Sequence, residues 1–273
     1  MGNVFDAAAA DFLALAPRLW DPVGEAVCRI AAPEPGEHVL DACCGAGSSA
    51  IPAAVAVGPH GRVDAVDLSA PLVTAMRDRA ATACAEGVLR PAVHDVATWS
   101  SGPYELVLCV LGLPFLPDPA AGAARLAGML VSGGRLVLAH WRAAEPGGRL
   151  DMKAFGEALF RIVSETAPGA EPAPPPARAP NPAALAFVSD LRGEEGMRTR
   201  LTELGLTPRT RTVQLALELD DEALQLLVDG SAFRGMVAGL GPVERSCVQG
   251  RLLERFAGLE LDVSLVVGVG VRA

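Results

Sequence analysis

The sequence predicts an α/β fold in which a mostly parallel sheet of seven strands is flanked by helices and carries helical insertions. Three observations support this class. Strand and helix patterns alternate through the first 140 residues, which is typical of parallel sheets. The strand patterns are short and nearly all apolar, as expected of strands covered on both faces. The composition, 51% hydrophobic and 20% charged, is that of an ordinary folded protein.

The first half of the chain contains five predicted strands separated by helices and turns. The predicted strands are residues 39–43, 62–67, 88–93, 105–110 and 135–140. The predicted helices are one that ends at about residue 57 and two at about 70–85 and 119–130. Ser69 precedes Ala70 and Pro71, which is typical of a helix N-cap followed by proline in the first turn.

The second half is predicted to add two strands and several helices. The predicted helices are residues 150–165, 194–204, 220–240 and 243–257, and the strands are 210–219 and 259–271. Residues 167–182 hold seven prolines and are predicted to form an irregular loop. The predicted organisation is N-terminal lid helices (1–35), a ligand-binding sheet core (36–142), a cap insertion with the Pro-rich loop (143–205), and two final strands with a helical insertion (206–273, insertion 220–257).

Charge and composition exclude several classes of protein. The chain has 23 basic and 32 acidic residues, a net charge of −9, and only 12 aromatic residues, so we expect no nucleic-acid partner. The N-terminus lacks a basic segment followed by an apolar one, and the uncharged stretch 42–61 contains four glycines and two prolines. We therefore expect no secretory signal, no membrane span and a cytoplasmic location. Six cysteines without a CxxC pair predict reduced thiols and no metal site. The oligomeric state is left open, a homodimer included.

One turn carries most of the functional information. The first predicted strand ends in Asp41, and Gly45 and Gly47 follow before a helix. Glycines at such a turn let the backbone bend tightly and approach a ligand. Asp67 lies 20 residues after Gly47, at the end of the second strand. A carboxylate there can accept both hydroxyls of a ribose.

The same turn distinguishes two kinds of nucleotide ligand. A nicotinamide dinucleotide needs a G-x-G-x-x-G pattern so that its pyrophosphate can sit at the helix N-terminus. The third glycine position here is Ala50, which could substitute, so Asp41 is the better discriminator. Asp41 would repel a pyrophosphate but suits a ligand with an ammonium group. S-adenosylmethionine has such a group, together with a sulfonium and a ribose, and it is the predicted cofactor.

The chain resembles class I S-adenosylmethionine-dependent methyltransferases, above all the small-molecule group related to the ubiquinone/menaquinone C-methyltransferases. Five sequence blocks carry this resemblance in the family's order, within about residues 36–142: 41–47, 61–69, 94–96, 104–118 and 130–141. Three positions depart from the family pattern: Cys43 replaces the first glycine of the turn, Glu105 replaces an Asp, and Ser132 replaces a Pro.

The resemblance implies a Rossmann-like fold and methyl transfer to an O, N or C atom of a small organic acceptor, with S-adenosylhomocysteine as the product. A bacterial specialised metabolite is one such acceptor. Carried over by motif, the cofactor contacts are Asp41, Cys43, Gly45, Gly47, Asp67, Leu68, Asp95, Val96 and Val110.

The sequence contains fewer signals for the residues that bind the acceptor. His140 ends the fifth strand, at the sheet edge where ligands bind, and is a candidate general base. An ordinary hydrogen-bonded histidine is the alternative interpretation. The candidates for the acceptor pocket are Phe5, Trp20, Leu113 and Trp141, for which core packing is the alternative.

Four other functions stay open at this stage. The fold could bind S-adenosylmethionine and catalyse a rearrangement or cyclisation without methyl transfer. It could methylate a quinone precursor at carbon. It could be a nicotinamide-dependent oxidoreductase, which the glycine pattern and Asp41 oppose. It could be an interaction module, which a failure to bind any adenosyl ligand would favour.

Overall fold

The structure is a computed structural model that describes residues 2–84, 86–144, 147–168 and 182–273. Most of the Pro-rich loop predicted at 167–182 lies outside the described residues. The described chain forms two compact units. The helical unit comprises the described parts of 1–19, 143–179 and 214–263, and the sheet unit comprises those of 20–142, 180–213 and 264–273.

Nine strands and eleven α-helices make up the described structure. The strands are β1 (His38–Ala42), β2 (Arg62–Asp67), β3 (Leu89–Val93), β4 (Tyr104–Val110), β5 (Leu130–Trp141), β6 (Leu206–Val213), β7 (Ala216–Leu219), β8 (Leu259–Asp262) and β9 (Leu265–Arg272). The helices are α1 (Gly2–Leu15), α2 (Trp20–Ala31), α3 (Ala50–Val57), α4 (Ala70–Ala80), α5 (Pro119–Gly128), α6 (Met152–Thr166), α7 (Pro182–Asp190), α8 (Glu194–Glu203), α9 (Asp221–Asp229), α10 (Arg234–Val237) and α11 (Pro242–Phe256).

The sheet unit contains a seven-stranded sheet in the order β3-β2-β1-β4-β5-β9-β6. The strands from β3 to β5 are mutually parallel, and β9 runs antiparallel to both of its neighbours. The predicted fold class, a mostly parallel sheet of seven strands flanked by helices, is confirmed. The predicted N-cap is confirmed as well, since the Ser69 side chain accepts a hydrogen bond from the Leu72 amide.

One face of the sheet is packed against helices of the second half of the chain. Leu136 and Leu138 on β5 belong to the same buried apolar cluster as Phe187 on α7 and Met197 on α8. Helix α8 comes very close to β9, because a Cβ at Gly268 would lie 2.5 Å from Cγ of Met197. Glycine in this strand is therefore required by helix packing.

Helix α2 is fixed at its C-terminal end by one arginine of β5. Arg135 donates hydrogen bonds to the backbone carbonyls of Ala31 and Ala32, and its guanidinium also pairs with both oxygens of Glu37. Arginine near the last carbonyls of a helix satisfies acceptors that have no partner within the helix. The end of α2 that precedes β1 is thus tied to the sheet.

The helical unit has its own aromatic core and ion pairs. Phe155 on α6 packs against Phe233 and Phe256, with ring centroids 5.4 and 5.3 Å apart. Arg234 donates to Asp11 on α1 at 3.1 Å. Strands β7 and β8 form a separate antiparallel pair in this unit. No helix within the described ranges is both long and apolar enough to cross a membrane.

Several predicted element boundaries in the second half were wrong. The strand predicted at 210–219 is divided into β6 and β7, and the strand predicted at 259–271 is divided into β8 and β9. In each case one part belongs to the seven-stranded sheet and the other part to the two-stranded sheet. The helix predicted at 220–240 is interrupted at Gly230, where a Cβ would lie 2.6 Å from the backbone of Asp11. Helix α7 was not predicted.

The compact units also divide the chain at positions other than the predicted domain boundaries. Helices α1 and α2, both within the predicted lid of residues 1–35, belong to different units. Helices α7 and α8, within the predicted cap of residues 143–205, belong to the sheet unit. The predicted functional division of the chain stays a prediction.

Candidate cofactor site

The predicted cofactor residues lie at or just after the carboxyl ends of four adjacent strands in the sheet unit. Asp41 lies on β1, Asp67 ends β2, Asp95 follows β3 and Val110 ends β4. The carboxyl ends of parallel strands meet at one edge of the sheet, and strand order reverses between β1 and β4. Ligands of open α/β sheets bind at this kind of switch point.

The turn from β1 to α3 has a conformation that favours glycine. Cys43, Gly45 and Gly47 have φ values of 61°, 52° and 86°. Such positive values are uncommon for residues with a Cβ, so Cys43 stores strain at the position where the family carries glycine. Gly47 also lacks space for a side chain, because a Cβ would lie 2.7 Å from Cγ of Met76.

Asp41 is fully buried, with one oxygen satisfied and one unsatisfied. Its Oδ2 accepts a hydrogen bond from the Ser49 hydroxyl at 2.6 Å, whereas its Oδ1 has no hydrogen-bond partner among the residues that the structure describes. Burial raises the pKa of Asp41 to about 7, the Ser49 hydrogen bond lowers it in part, and the nearby Asp67 charge raises it further. An unsatisfied buried carboxylate oxygen is costly, and a ligand cation would relieve that cost.

Asp67 is oriented by two backbone amides. Gly45 N donates to Oδ2 and Ser69 N donates to Oδ1, each at 2.9 Å. Each carboxylate oxygen has more than one acceptor site, so both can still accept a ligand hydroxyl. The carboxylate that the sequence assigns to the ribose is therefore held in place by the glycine turn and by the start of α4.

Exposed apolar side chains stand next to this carboxylate. Leu68 and Val93 are each 48% exposed, and Val93 pairs with Asp67 in the β2–β3 register. Large apolar side chains exposed beside a polar site provide a surface for a flat, apolar ligand group. The adenine of the cofactor is such a group.

The loop after β3 carries two of the residues that the sequence assigns to the cofactor, Asp95 and Val96. Asp95 accepts a hydrogen bond from the Ala97 amide at 2.8 Å, and Val96 is buried. Arg125 on α5 donates to the Val96 carbonyl at 3.4 Å and to the Trp99 carbonyl. The loop is thus held from α5.

The thiols near the turn are protonated at neutral pH. A hydrogen bond with the Cys109 thiol and burial raise the pKa of Cys43 well above its usual range. Burial likewise raises the pKa of Cys44, and both cysteines are free. Nucleophilic or redox chemistry needs the thiolate, which the raised pKa of each cysteine disfavours.

The predicted acceptor residues are only partly brought together. Trp20, the first residue of α2, and Trp141, the last residue of β5, have ring centroids 6.5 Å apart. Leu113 is buried in the core of the sheet unit. Phe5 belongs to the helical unit, where its ring meets that of Phe12 edge-on at 6.5 Å.

His140 is buried, 7% exposed, near the end of β5. Burial lowers its pKa, and the charge of Arg192 lowers it further. Its Nδ1 lies 3.1 Å from the Trp141 carbonyl oxygen. Because a carbonyl oxygen only accepts, Nδ1 carries the proton and Nε2 is the basic nitrogen of a neutral ring.

The residues of this edge fit S-adenosylmethionine. The unsatisfied oxygen of Asp41 suits its ammonium group, the fixed carboxylate of Asp67 suits its ribose, and the exposed Leu68 suits its adenine. A negatively charged pyrophosphate fits poorly beside Asp41. Among the described residues, no group of three or more His, Cys, Asp or Glu side chains is arranged to hold a metal ion.

The strand order of the sheet unit is that of a known fold. A parallel sheet whose reversed strand β9 is inserted next to the edge strand, with an acidic residue and a glycine turn after β1, is the fold of class I S-adenosylmethionine-dependent methyltransferases. Residues 39–134, about a third of the chain, match the model of a family described as a methyltransferase domain.

Two curated relatives share about half of this chain. Nocamycin O-methyltransferase of Saccharothrix syringae is 33% identical over 137 residues, which are 50% of this chain and 49% of that protein. Aklanonic acid methyltransferase DauC of Streptomyces sp. (strain C5) is 31% identical over 136 residues, 49% of this chain and 61% of that protein. The chain thus matches about half the length of the curated relatives. Neither comparison tests the narrower likeness to the ubiquinone/menaquinone group.

Solved structures share the fold over most of the chain. The YcgJ protein of Bacillus subtilis has a TM-score of 0.55 at 13% identity and covers 92% of this chain and 98% of its own. A geranyl diphosphate methyltransferase in complex with S-adenosylmethionine has a TM-score of 0.51 at 16% identity, with coverages of 96% and 89%. The [4+2]-cyclase SpnF has a TM-score of 0.50 at 13% identity, with coverages of 92% and 81%.

Sequence reasoning missed four side chains that support this site. They are Asp21, Ser49, Arg79 and Arg125. Ser49 lies at the start of α3, where a capping role is the usual expectation, but its hydroxyl binds Asp41 instead. The other three come from helices far apart in sequence, so no local motif marks them.

Proposed function

We propose that this protein transfers the methyl group of S-adenosylmethionine to an O, N or C atom of a small organic acceptor. The observation that carries the proposal is the pair of carboxylates at adjacent strand ends. Asp41 is buried with an unsatisfied oxygen, and Asp67 is held by two backbone amides. Such an arrangement recognises a ligand that has both an ammonium group and a ribose.

The chain's residues have binding and orienting roles in this proposal. Asp41 holds the ammonium, Asp67 holds the ribose hydroxyls, and Leu68, Asp95 and Val96 hold the adenine. The bound cofactor supplies a methyl group that its sulfonium makes susceptible to in-line attack. The protein then needs mainly to align the acceptor and to exclude water.

For the acceptor we propose a largely apolar molecule with a flat region. The rings of Trp20 and Trp141 lie close together and both are partly exposed. Aromatic pairs of this kind bind flat apolar groups well. The names of the two curated relatives refer to nocamycin and aklanonic acid, which supports a specialised metabolite as the acceptor class.

His140 is the candidate general base in this scheme. It is neutral because burial lowers its pKa, so Nε2 is available to accept a proton from a hydroxyl or amine of the acceptor. The alternative, a structural histidine, predicts that His140→Gln leaves the pH dependence of turnover unchanged.

A second candidate function is catalysis without methyl transfer. The fold is shared with the [4+2]-cyclase SpnF as well as with methyltransferases, so the fold alone does not distinguish the two. The distinguishing observation is the product. Methyl transfer forms S-adenosylhomocysteine in equal amount to the methylated acceptor, whereas a cyclisation consumes no cofactor.

Calorimetric titration with S-adenosylmethionine and S-adenosylhomocysteine tests the cofactor site. We expect both to bind and Asp67→Ala to weaken binding by at least about a hundredfold, because two hydrogen bonds to a charged group are lost. Asp78→Ala, the same change on the exposed face of α4, is the matched control and should bind normally. Absence of heat with either ligand in the folded protein would overturn the methyltransferase proposal and favour an interaction module.

A further inference from the structure

Three side chains meet behind the glycine turn, on elements separated in sequence. Asp21 lies in the first turn of α2, Ser48 lies in the turn itself, and Arg79 lies in the last turn of α4. Oδ1 of Asp21 accepts from the Ser48 hydroxyl at 2.7 Å and from Arg79 Nη2 at 2.6 Å. We call these three residues the turn bridge.

The turn bridge fixes one peptide group of the cofactor turn. Arg79 Nη1 donates to the Ala46 carbonyl at 2.8 Å, and the Gly47 N–H of the same peptide donates to the Cys44 carbonyl at 2.9 Å. Ala46 stands between two glycines with positive φ, where the free backbone has many accessible conformations. With its carbonyl and its N–H both held, this peptide has one orientation before any ligand arrives.

Helix α2 is built to come close to the turn. A Cβ at Gly24 would lie 2.2 Å from the Ser48 carbonyl oxygen, so only glycine allows this approach. Asp21 precedes Gly24 by one helical turn and therefore faces the same loop. The packing at Gly24 and the ion pair at Asp21 are two separate contacts between α2 and the turn.

We infer that Arg79, with Asp21 as its counter-ion, is a positioning residue for cofactor binding that acts through the Ala46 carbonyl. This inference rests on the proposed function. It assigns Arg79 no contact with the ligand. Its role is preorganisation: a turn already held in the bound conformation loses less conformational freedom when the cofactor binds.

The inference is tested by measuring both the cofactor affinity and the thermal stability of the same variant. Arg79→Met keeps the aliphatic length of the side chain but removes its charge and its donors. We expect it to bind S-adenosylhomocysteine about tenfold more weakly, as for loss of one hydrogen bond from a charged group. The melting temperature of the unliganded protein should change little, because the Arg79–Asp21 ion pair is partly exposed.

Three further variants separate positioning from general damage. Arg79→Lys restores one charged donor and should recover part of the affinity. Asp21→Asn combined with Arg79→Met should weaken binding little more than Arg79→Met alone, because both changes break one bridge. Arg77→Met, the same change two residues earlier on α4, is the matched control. Arg77 is exposed and donates to the Pro91 carbonyl.

The outcomes distinguish this inference from the proposed function. Wild-type affinity in Arg79→Met, or a loss of affinity equal to that of Arg77→Met, would overturn the positioning role alone. So would a loss that follows unfolding and that Arg79→Lys does not reverse. If the unaltered protein binds neither S-adenosylmethionine nor S-adenosylhomocysteine, the proposed function fails and this inference fails with it.

Discussion

The turn after β1 and the loop after β3 are assigned to the two ends of the same cofactor, yet they are built differently. In the turn, Asp41, Ala46 and Gly47 are buried and the backbone adopts positive φ values. In the loop, His94 and Ala97 are exposed, and Asp95 bonds to a neighbouring amide. The turn is buried and preorganised, whereas the loop is exposed and is anchored to α5 by hydrogen bonds from Arg125.

This difference implies an unequal division of binding free energy. Charge interactions are strong where water is excluded and weak where water screens them. The buried turn should therefore supply most of the affinity and all of the pH dependence, and the open loop should mainly select the base. Four predictions test this division, beginning with the largest effect on binding.

Gly47→Ala should abolish measurable binding and destabilise the protein by about 3 kcal/mol. The new Cβ meets Met76 and also takes an unfavourable positive φ. Gly87→Ala is the control, because Gly87 has a similar φ of 81° but no described atom within 4 Å of its Cβ position. Gly87→Ala should lower the free energy of unfolding by only about 1 kcal/mol and leave cofactor binding intact. Chemical denaturation and calorimetry measure the two effects, and equal costs at the two sites would contradict a tightly packed turn.

Asp41 should make both stability and binding depend on pH. Its pKa rises from 3.8 to about 7 on folding, so the folded state retains a proton that the unfolded state has lost between these values. The free energy of unfolding should therefore fall as pH rises from 4 to 7, by about 3 kcal/mol through this residue. Asp41→Asn should remove this dependence in denaturation curves measured from pH 4 to pH 8.

Ligand binding should depend on pH in the direction opposite to that of stability. A bound ammonium favours ionised Asp41, so affinity for S-adenosylhomocysteine should rise with pH and level off above about 7. Asp41→Asn should bind about thirtyfold more weakly at pH 8, with a flat profile, as for loss of a charged partner. A wild-type affinity that is constant from pH 5.5 to pH 8.5 would contradict the ammonium role.

The smallest effect is expected at the open loop. Asp95→Ala should weaken S-adenosylhomocysteine binding by only about fivefold, because a partly exposed hydrogen bond contributes about 1 kcal/mol. Ser100→Ala, an exposed position of the same loop, serves as the control. A loss at Asp95 as large as that at Asp41 would remove the contrast between the two ends.

The sheet core could be predicted because its signals are local. Apolar strands, Ser69 before Pro71, and the spacing from Gly47 to Asp67 each lie within a short stretch of sequence. Parallel topology then brings the strand ends to one edge without further information.

The features of the fold and the site that the sequence did not predict depend on contacts between distant segments. The strand patterns at 210–219 and 259–271 are continuous in sequence, and only pairing in three dimensions shows that each is shared between two sheets. The turn bridge joins Asp21 to Arg79 across 58 positions. Surface-like arginines and aspartates carry no periodic signal, so side chains of this kind are found only once the helices are placed.

The position of β9 has a consequence for how the protein is made. Strand β6 reaches the seven-stranded sheet only through β9. About fifty residues separate the two along the chain, which is roughly 3 to 10 s of synthesis at usual elongation rates. During that time the open side of β5 and both edges of β6 have no partner from this sheet, and exposed edges of this kind invite pairing between chains. A nascent chain stalled before residue 265 should therefore be prone to aggregate, even though every strand assigned to the cofactor has already been translated.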